Sequence, residues 1–400
     1  DSFAQPAKAE PTEDPPRLVR EDPPRTNPNE LFKQWRERIG KRPGKGRPLA
    51  GRPPATRVSP YQQQVFQASG AVIGAAFRDR SRQVVSVSLN GEVELWDVKS
   101  GDKIAGKDGD ASQSAAFTPD GKYAMAASAN GSIRVISLPD MRIVHVLEGH
   151  QGTVRAMTVL PGGRLMSAGI DKTVRMWDLT TGAEVHKSES EDGMVFALAV
   201  SPDESTMAVA GYLSSSVLLL DLQQQPAAPL GVLEGAEGHD GIIRCLAFSP
   251  DGRLLLSGSR GSERTALVWD WKAKTVRRRL PGHPEGVTAA AFFPNGKTVV
   301  IGSGGMAGKG KPGGKYREAV IQVWDVESAR SLAKLPGHWW AVTALSVSSD
   351  GKLILSGGFD GSVRVWKKPS AADESSKLDA SLRGPREARD DRPRNATLSR

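Results

Sequence analysis

Two sets of residues in this 400-residue chain have the types that could perform nucleophilic chemistry: His150, Ser167 and Asp171, and again His338, Ser356 and Asp360. A serine hydroxyl activated by an imidazole, itself oriented by a carboxylate, is the arrangement of hydrolases that work through an acyl intermediate. The spacing speaks against that chemistry. In both sets the serine is followed four residues later by the aspartate and ten residues later by a tryptophan, Trp177 and Trp366. An active site is one concave place with donors for an oxyanion, so a constellation that recurs, each copy inside its own segment, points to structure. No catalytic residue is assigned. The six histidines show no HExxH or clustered spacing, so no metal site and no cofactor are expected. Cys245 is the one cysteine; it excludes an internal disulfide and sits in the apolar run CLAF as a small hydrophobe.

Two further stretches invite a chemical reading. Gly305 to Lys311 has the glycine and lysine spacing of a phosphate-binding loop. Pro312 then stands where Ser or Thr would hold magnesium, and a strand-like run follows where a helix N-terminus is needed, so the stretch is expected to be a flexible cationic loop. The second is GHWWAV, residues 337 to 342. Three other GH dipeptides, in EGHQGTV, EGHDGII and PGHPEGV, carry no aromatic residue just after the histidine. Trp339 and Trp340 therefore have two readings, an exposed contact for a partner or a local core beneath a neighbouring loop.

Composition narrows the fold. Aromatics make up only 6% of the chain while Gly and Pro number 43 and 27, which points to many turns, short strands and an all-β architecture. The net charge of +9 lies mostly at the ends: residues 1–60 hold 13 Lys or Arg against 8 Asp or Glu, and residues 368–400 hold 8 against 6. These segments, rich in Pro and Arg at the start and polar at the end, are expected to be disordered tails, with a short helix over 30–40 where Leu31, Phe32, Trp35 and Ile39 recur at helical spacing. A near-neutral body with basic ends is weak ground for nucleic acid, and none is expected as a partner. No run of about 18 apolar residues is present, so no membrane span is expected. The chain starts at Asp1, and Ala7-Lys8-Ala9 resembles a leader cleavage site without the apolar stretch of a leader. The compartment stays open between the cytoplasm and export after loss of a leader.

Between the tails the sequence repeats. Trp96-Asp97, Trp177-Asp178, Trp269-Asp270 and Trp324-Asp325 each end a strand-like run, and weaker copies stand at Ile136, Leu220 and Trp366. Successive copies are 40, 41, 43, 49, 55 and 42 residues apart, which makes seven units, each with a turn such as Ser249-Pro-Asp-Gly252 between two apolar runs.

These residues resemble the WD-repeat (WD40) family over about 61–367. The resemblance implies a seven-bladed β-propeller of four-stranded blades, with YQQQVFQ (residues 61 to 67) supplying the missing outer strand of the last blade. It also implies that His150, Ser167, Asp171 and Trp177, and likewise His338, Ser356, Asp360 and Trp366, are hydrogen-bonded chains that rigidify their blades. In the sixth unit about 13 residues are inserted within GSGGMAGKGKPGGKYREA. In the family architecture this insertion would share one face with Trp339, Trp340 and Phe359. Lys309, Lys311, Lys315, Tyr316 and Arg317 of the insertion, with Arg260 and Arg264, would then complete an aromatic and basic sector suited to a protein partner. The implied function is a monomeric propeller acting as a non-catalytic scaffold for protein–protein interaction. Its rivals are an enzyme or small-ligand site in the central channel, where only Arg155 and Arg244 bear charge on the innermost strands, and nucleic-acid association through the tails.

Overall fold

The computed structural model describes residues 59–369, except 190–192, 212–214, 225–226, 235–237 and 306–318. Most of both expected tails, the helix expected over 30–40, and Lys309, Lys311, Lys315, Tyr316 and Arg317 lie outside these described residues.

Alternating apolar and polar residues become 28 strands among the described residues, grouped as seven four-stranded antiparallel sheets. Antiparallel neighbours need only tight turns, and the sequence supplies them. In the turn at Ser249 to Gly252, the Ser249 hydroxyl reaches Asp251 at 2.5 Å and accepts the Leu254 amide at 2.9 Å, while Gly252 takes a left-handed φ of +68°. The aspartate of each WD pair works in the same way on the next turn: Asp178 accepts the amides of Thr180 and Thr181 at 2.8 and 2.9 Å, and Asp97 those of Lys99 and Ser100 at 2.9 and 2.8 Å.

Blades one to six occupy 72–107, 112–147, 154–189, 195–233, 243–280 and 287–336, each with its strands paired in chain order. Blade seven differs. Its strands β26 (Val342–Val347), β27 (Leu353–Gly358) and β28 (Ser362–Lys367) are completed by β1 (Gln62–Gln67), which pairs antiparallel with β28. Gln62 sits opposite Trp366, its side chain accepts from Arg364 at 2.7 Å, and the Lys367 amide donates to Tyr61 O at 2.7 Å.

The innermost strands β2 (Val72–Arg78), β6 (Ser112–Phe117), β10 (Val154–Val159), β14 (Val195–Val200), β18 (Ile243–Phe248), β22 (Val287–Phe292) and β26 touch in cyclic order, and β26 returns to β2. This is a seven-bladed β-propeller closed by its own N-terminal strand. Closure leaves no blade with an unpaired inner partner. The core lies between blades: Trp177, Trp269 and Trp366 are the largest fully buried side chains, and Trp366 packs with Phe293, Val300, Val323 and Leu335 of blade six. No helix among the described residues is long and apolar enough to cross a membrane.

Candidate functional site

In blade three the Trp177 indole N–H donates to Ser167 Oγ at 2.8 Å, Ser167 Oγ lies 2.7 Å from His150 Nε2, and His150 Nδ1 lies 2.9 Å from Asp171 Oδ2. Blade seven repeats the chain, with 2.8 Å from Trp366 to Ser356, 2.8 Å from Ser356 to His338 Nε2, and 3.0 Å from His338 Nδ1 to Asp360. A carboxylate only accepts, so each Nδ1 carries a proton and each Nε2 is left to accept the serine O–H. The distances are those of a catalytic triad; what differs is access. Ser167 and Ser356 have no exposed surface, and each hydroxyl is already engaged by an indole. A substrate carbonyl cannot reach them.

Burial alone would raise the Asp360 pKa, but the His338 and Ser362 donors overcome it and hold the carboxyl at about 2. Asp171 is likewise held below the ordinary range: burial opposes, and the Gln151 amide and His150 prevail. Burial pushes the His150 imidazole down despite Asp171 beside it.

A third network escapes the sequence pattern. In blade five Trp269 donates to Ser257 at 2.7 Å, Ser257 lies 2.7 Å from His239 Nε2, and His239 Nδ1 meets Glu263 at 2.5 Å. The acid is a glutamate in a turn two residues longer than that of blade seven, so the serine-to-acid spacing of four fails. The usable signal is the interval from His239 to Ser257, which equals that from His338 to Ser356. Burial opposes ionisation of Glu263, yet His239 and Ser259 hold it at about 2.

In all three blades the residue after the histidine donates its backbone amide to the network carboxylate: Gln151 to Asp171 at 3.0 Å, Asp240 to Glu263 at 2.8 Å, and Trp339 to Asp360 at 3.1 Å. The side chain at that position is therefore not specified by the fold. In blade seven the slot and its successor hold Trp339 and Trp340, both half-buried, with ring centroids 5.0 Å apart and planes tilted by 56°. The Trp340 Nε1 is sheltered and has no hydrogen-bond partner. The Ala341 amide donates to Gly305 O at 3.1 Å, which joins this loop to the blade-six turn that precedes the insertion.

Arg260 and Arg264 are exposed, and their backbones border the loop entering blade six: His283 N donates to Arg264 O at 3.1 Å, and a Cβ on Gly286, at φ +90°, would meet the Arg260 Cα at 2.8 Å. Phe359 differs from the expected surface sector, because only 8% of it is exposed. It follows Gly358 into the turn and lies under, not on, the face.

The channel side offers another set. Every inner strand carries a one-residue bulge at its second position, which re-aims that side chain in each blade. In blades three to five the residue is Arg155, Phe196 and Arg244, and the two guanidinium carbons lie 5.0 and 5.5 Å from the Phe196 ring centroid. In blade six it is Thr288, which donates to Val342 O at 2.6 Å and ties blade six to blade seven. No cluster of His, Cys, Asp or Glu fit to hold a metal occurs among the described residues. Burial pushes the Cys245 thiol up to about 12, which leaves it protonated and inert.

The family model described as "WD domain, G-beta repeat" matches residues 106–137, 141–178, 228–270, 274–307 and 329–367. These windows begin in or beside the outer strand of one blade and run into the inner strands of the next. The chain is 28% identical over 205 residues to the target of rapamycin complex subunit wat1 of Schizosaccharomyces pombe, covering 51% of this chain and 58% of that protein. It is 23% identical over 325 residues to a guanine nucleotide-binding protein subunit beta of Oryza sativa subsp. japonica, covering 74% and 80%. It is 24% identical over 216 residues to the target of rapamycin complex subunit LST8 of Mus musculus, covering 54% and 59%. The chain thus spans under two thirds of the length of wat1 and of LST8.

Proposed function

Since this chain belongs to the WD-repeat family, we propose that it serves as a non-catalytic platform for protein partners, contacted through the loops that enter blades six and seven. The observation that carries this reading is the tryptophan pair. The backbone around it is held whatever the side chains, the Trp339 amide by Asp360 and the following Ala341 amide by Gly305 O, and sister loops make the same contact to the network carboxylate with Gln151 and Asp240. Two large indoles at positions the blade does not specify, half-buried, with exposed Arg260 and Arg264 beside the loop that enters the preceding blade, have the composition of an interface centre with a polar rim. The relatives support the same reading, since each is named as a subunit of a larger assembly. The sealed serines argue against hydrolysis by the three networks.

A photo-crosslinking side chain at position 339 identifies the partner. The variant with Trp339→Ala and Trp340→Ala should then bind that partner with a loss of about 2 to 4 kcal/mol while keeping its melting temperature within a few degrees. A large fall in melting temperature with partner affinity intact would make the pair a local core and remove this face from the proposal.

A further inference from the structure

The outermost strand of each blade leaves a row of backbone N–H and C=O groups unused by its own sheet, a template for another strand unless something blunts it. Six of the seven are blunted by composition. Strand β5 (Lys103–Lys107) carries two lysines, β13 (Glu184–Glu189) two glutamates and Lys187, and β17 (Ala228–Leu233) has Pro229 and Gly231. Strand β21 (Thr275–Leu280) has three arginines, β25 (Arg330–Pro336) has Arg330 and Lys334, and β1 is mostly glutamine. The exception is β9 (Ile143–Leu147) of blade two, IVHVL, where Ile143, Val144 and Val146 are 42%, 41% and 49% exposed.

The sequence around it is self-complementary. Arg142-Ile143-Val144-His145-Val146-Leu147-Glu148 runs basic, apolar, apolar, His, apolar, apolar, acidic, and both end residues are exposed. We propose that β9 pairs with β9 of a second copy of this chain, antiparallel about a two-fold axis at His145. In that register Val144 faces Val146 of the other copy and Arg142 faces Glu148, each pair occurring twice, while Leu147, opposite Ile143, is 1% exposed and stays in its own subunit's core. An isologous contact needs a patch that complements itself, and no other outer strand among the described residues offers one.

Three features set its strength. Arg142 already lies 3.5 Å from Asp140, but both side chains are largely solvated and that pair yields easily. The His145 ring is 3.2 Å from Thr180 O of blade three, which holds it against its own subunit and away from the ladder. A bulge at Val144 interrupts pairing with β8 (Ile133–Ser137). Equivalent bulges occur in the other outer strands, so this one does not set β9 apart, but it shortens the regular ladder. A stable dimer buries at least about 1,200 Å² in total, more than one short strand pair supplies. The association is therefore weak and concentration-dependent.

Sedimentation velocity on the full chain over two orders of magnitude in concentration tests this. The mass should rise from one chain to two. Arg142→Glu alone and Glu148→Arg alone should each abolish the rise, and the double reversal should restore it. Val146→Lys should abolish it, and Val185→Lys on β13 should not; thermal melts confirm that each variant folds. A wild-type chain that stays single throughout overturns the proposal, as does a dimer that survives Val146→Lys or a double reversal that rescues nothing. Amide exchange gives an independent arm: protection of residues 143–147 should grow with concentration. Equal protection at every concentration would mean that the chain's own residues or another partner cover the strand, which also overturns self-pairing.

Discussion

Blades six and seven are neighbours with the same strand register, yet they treat the same polar problem in opposite ways. In blade seven every member of the His338, Ser356, Asp360 and Trp366 chain has a partner. In blade six Ile301, opposite Gln322, takes the register that Ser356 holds opposite Arg364. With no hydroxyl there, the Trp324 Nε1 is orphaned; His283 turns its Nε2 to Leu280 O at 2.9 Å and leaves Nδ1 without a partner. Blade six nonetheless forms a complete four-stranded sheet around a buried apolar cluster that includes Ile301, Trp324 and Leu280. The contrast teaches that strand pairing and inter-blade packing make a blade, and that the polar chain adds stability to one already formed. The two blades should then respond differently when the same atoms are removed.

The largest effect is expected from Asp360→Ala. Its carboxylate has no exposed side-chain surface and serves His338, the Trp339 and Ser362 amides and the Ser362 hydroxyl. Its removal strands these donors in a sealed site, each at about 1 to 3 kcal/mol, so a loss of about 4 kcal/mol is expected, here in the blade that closes the ring. Urea unfolding should show the loss; a change below about 1 kcal/mol would mean that blade seven depends on its network no more than blade six does. The Asp360 contribution is also pH-linked. Its pKa is depressed to about 2, so the stability it lends is present above the ordinary carboxylate range and fades as pH falls toward 2.

Blade six should fail earlier on the pH scale. Burial, only partly offset by Leu280 O, takes His283 from its ordinary 6.5 to about 4. Between those values the unfolded chain binds a proton that the folded chain refuses, so stability falls as pH drops from 6.5 to about 4, by about 3 kcal/mol for a shift of that size. His150 acts in the same direction. His283→Asn should flatten that limb of a stability–pH curve, whereas Asp360→Asn should leave it in place. An unchanged limb in the His283 variant would show that the imidazole finds a way to hold its proton in the fold.

The sequence made the ring legible because periodic signals add: seven strand ends at regular spacing, tight turns, and an N-terminal run that completes the last blade. The Ser, His and Asp sets were legible where the turn kept its length. The blade-five network was hidden by a glutamate in a longer turn, since a two-residue insertion and one extra methylene move the acid along the sequence while leaving it in the same place in space. The fate of Phe359 was not legible either. A turn residue with an aromatic ring looks exposed by position, but its neighbour Gly358 has no room for a Cβ, which would meet His338 Nδ1 at 2.6 Å and Asp360 Oδ1 at 2.9 Å. That crowding exists only once the strands are paired.

The smallest and sharpest separation of the two blades is expected from removing a single N–H. Trp366→Phe and Trp324→Phe delete the same indole atoms from sites that are both nearly sealed, at 0% and 6% exposure. The packing loss is common to both. In blade seven the change also breaks the 2.8 Å bond to Ser356, whereas the indole N–H of blade six has no bond to lose. A net intramolecular hydrogen bond contributes about 1 kcal/mol, and freeing a blade of an orphaned buried donor offsets part of the packing cost. Trp366→Phe should therefore cost about 1 kcal/mol more than Trp324→Phe by urea unfolding. Equal costs would mean that the indole bond adds nothing net to blade seven. A larger cost in blade six would mean that Trp324 depends on shape alone and that Ile301, with no hydroxyl to offer, packs against the indole tightly enough to outweigh the missing bond.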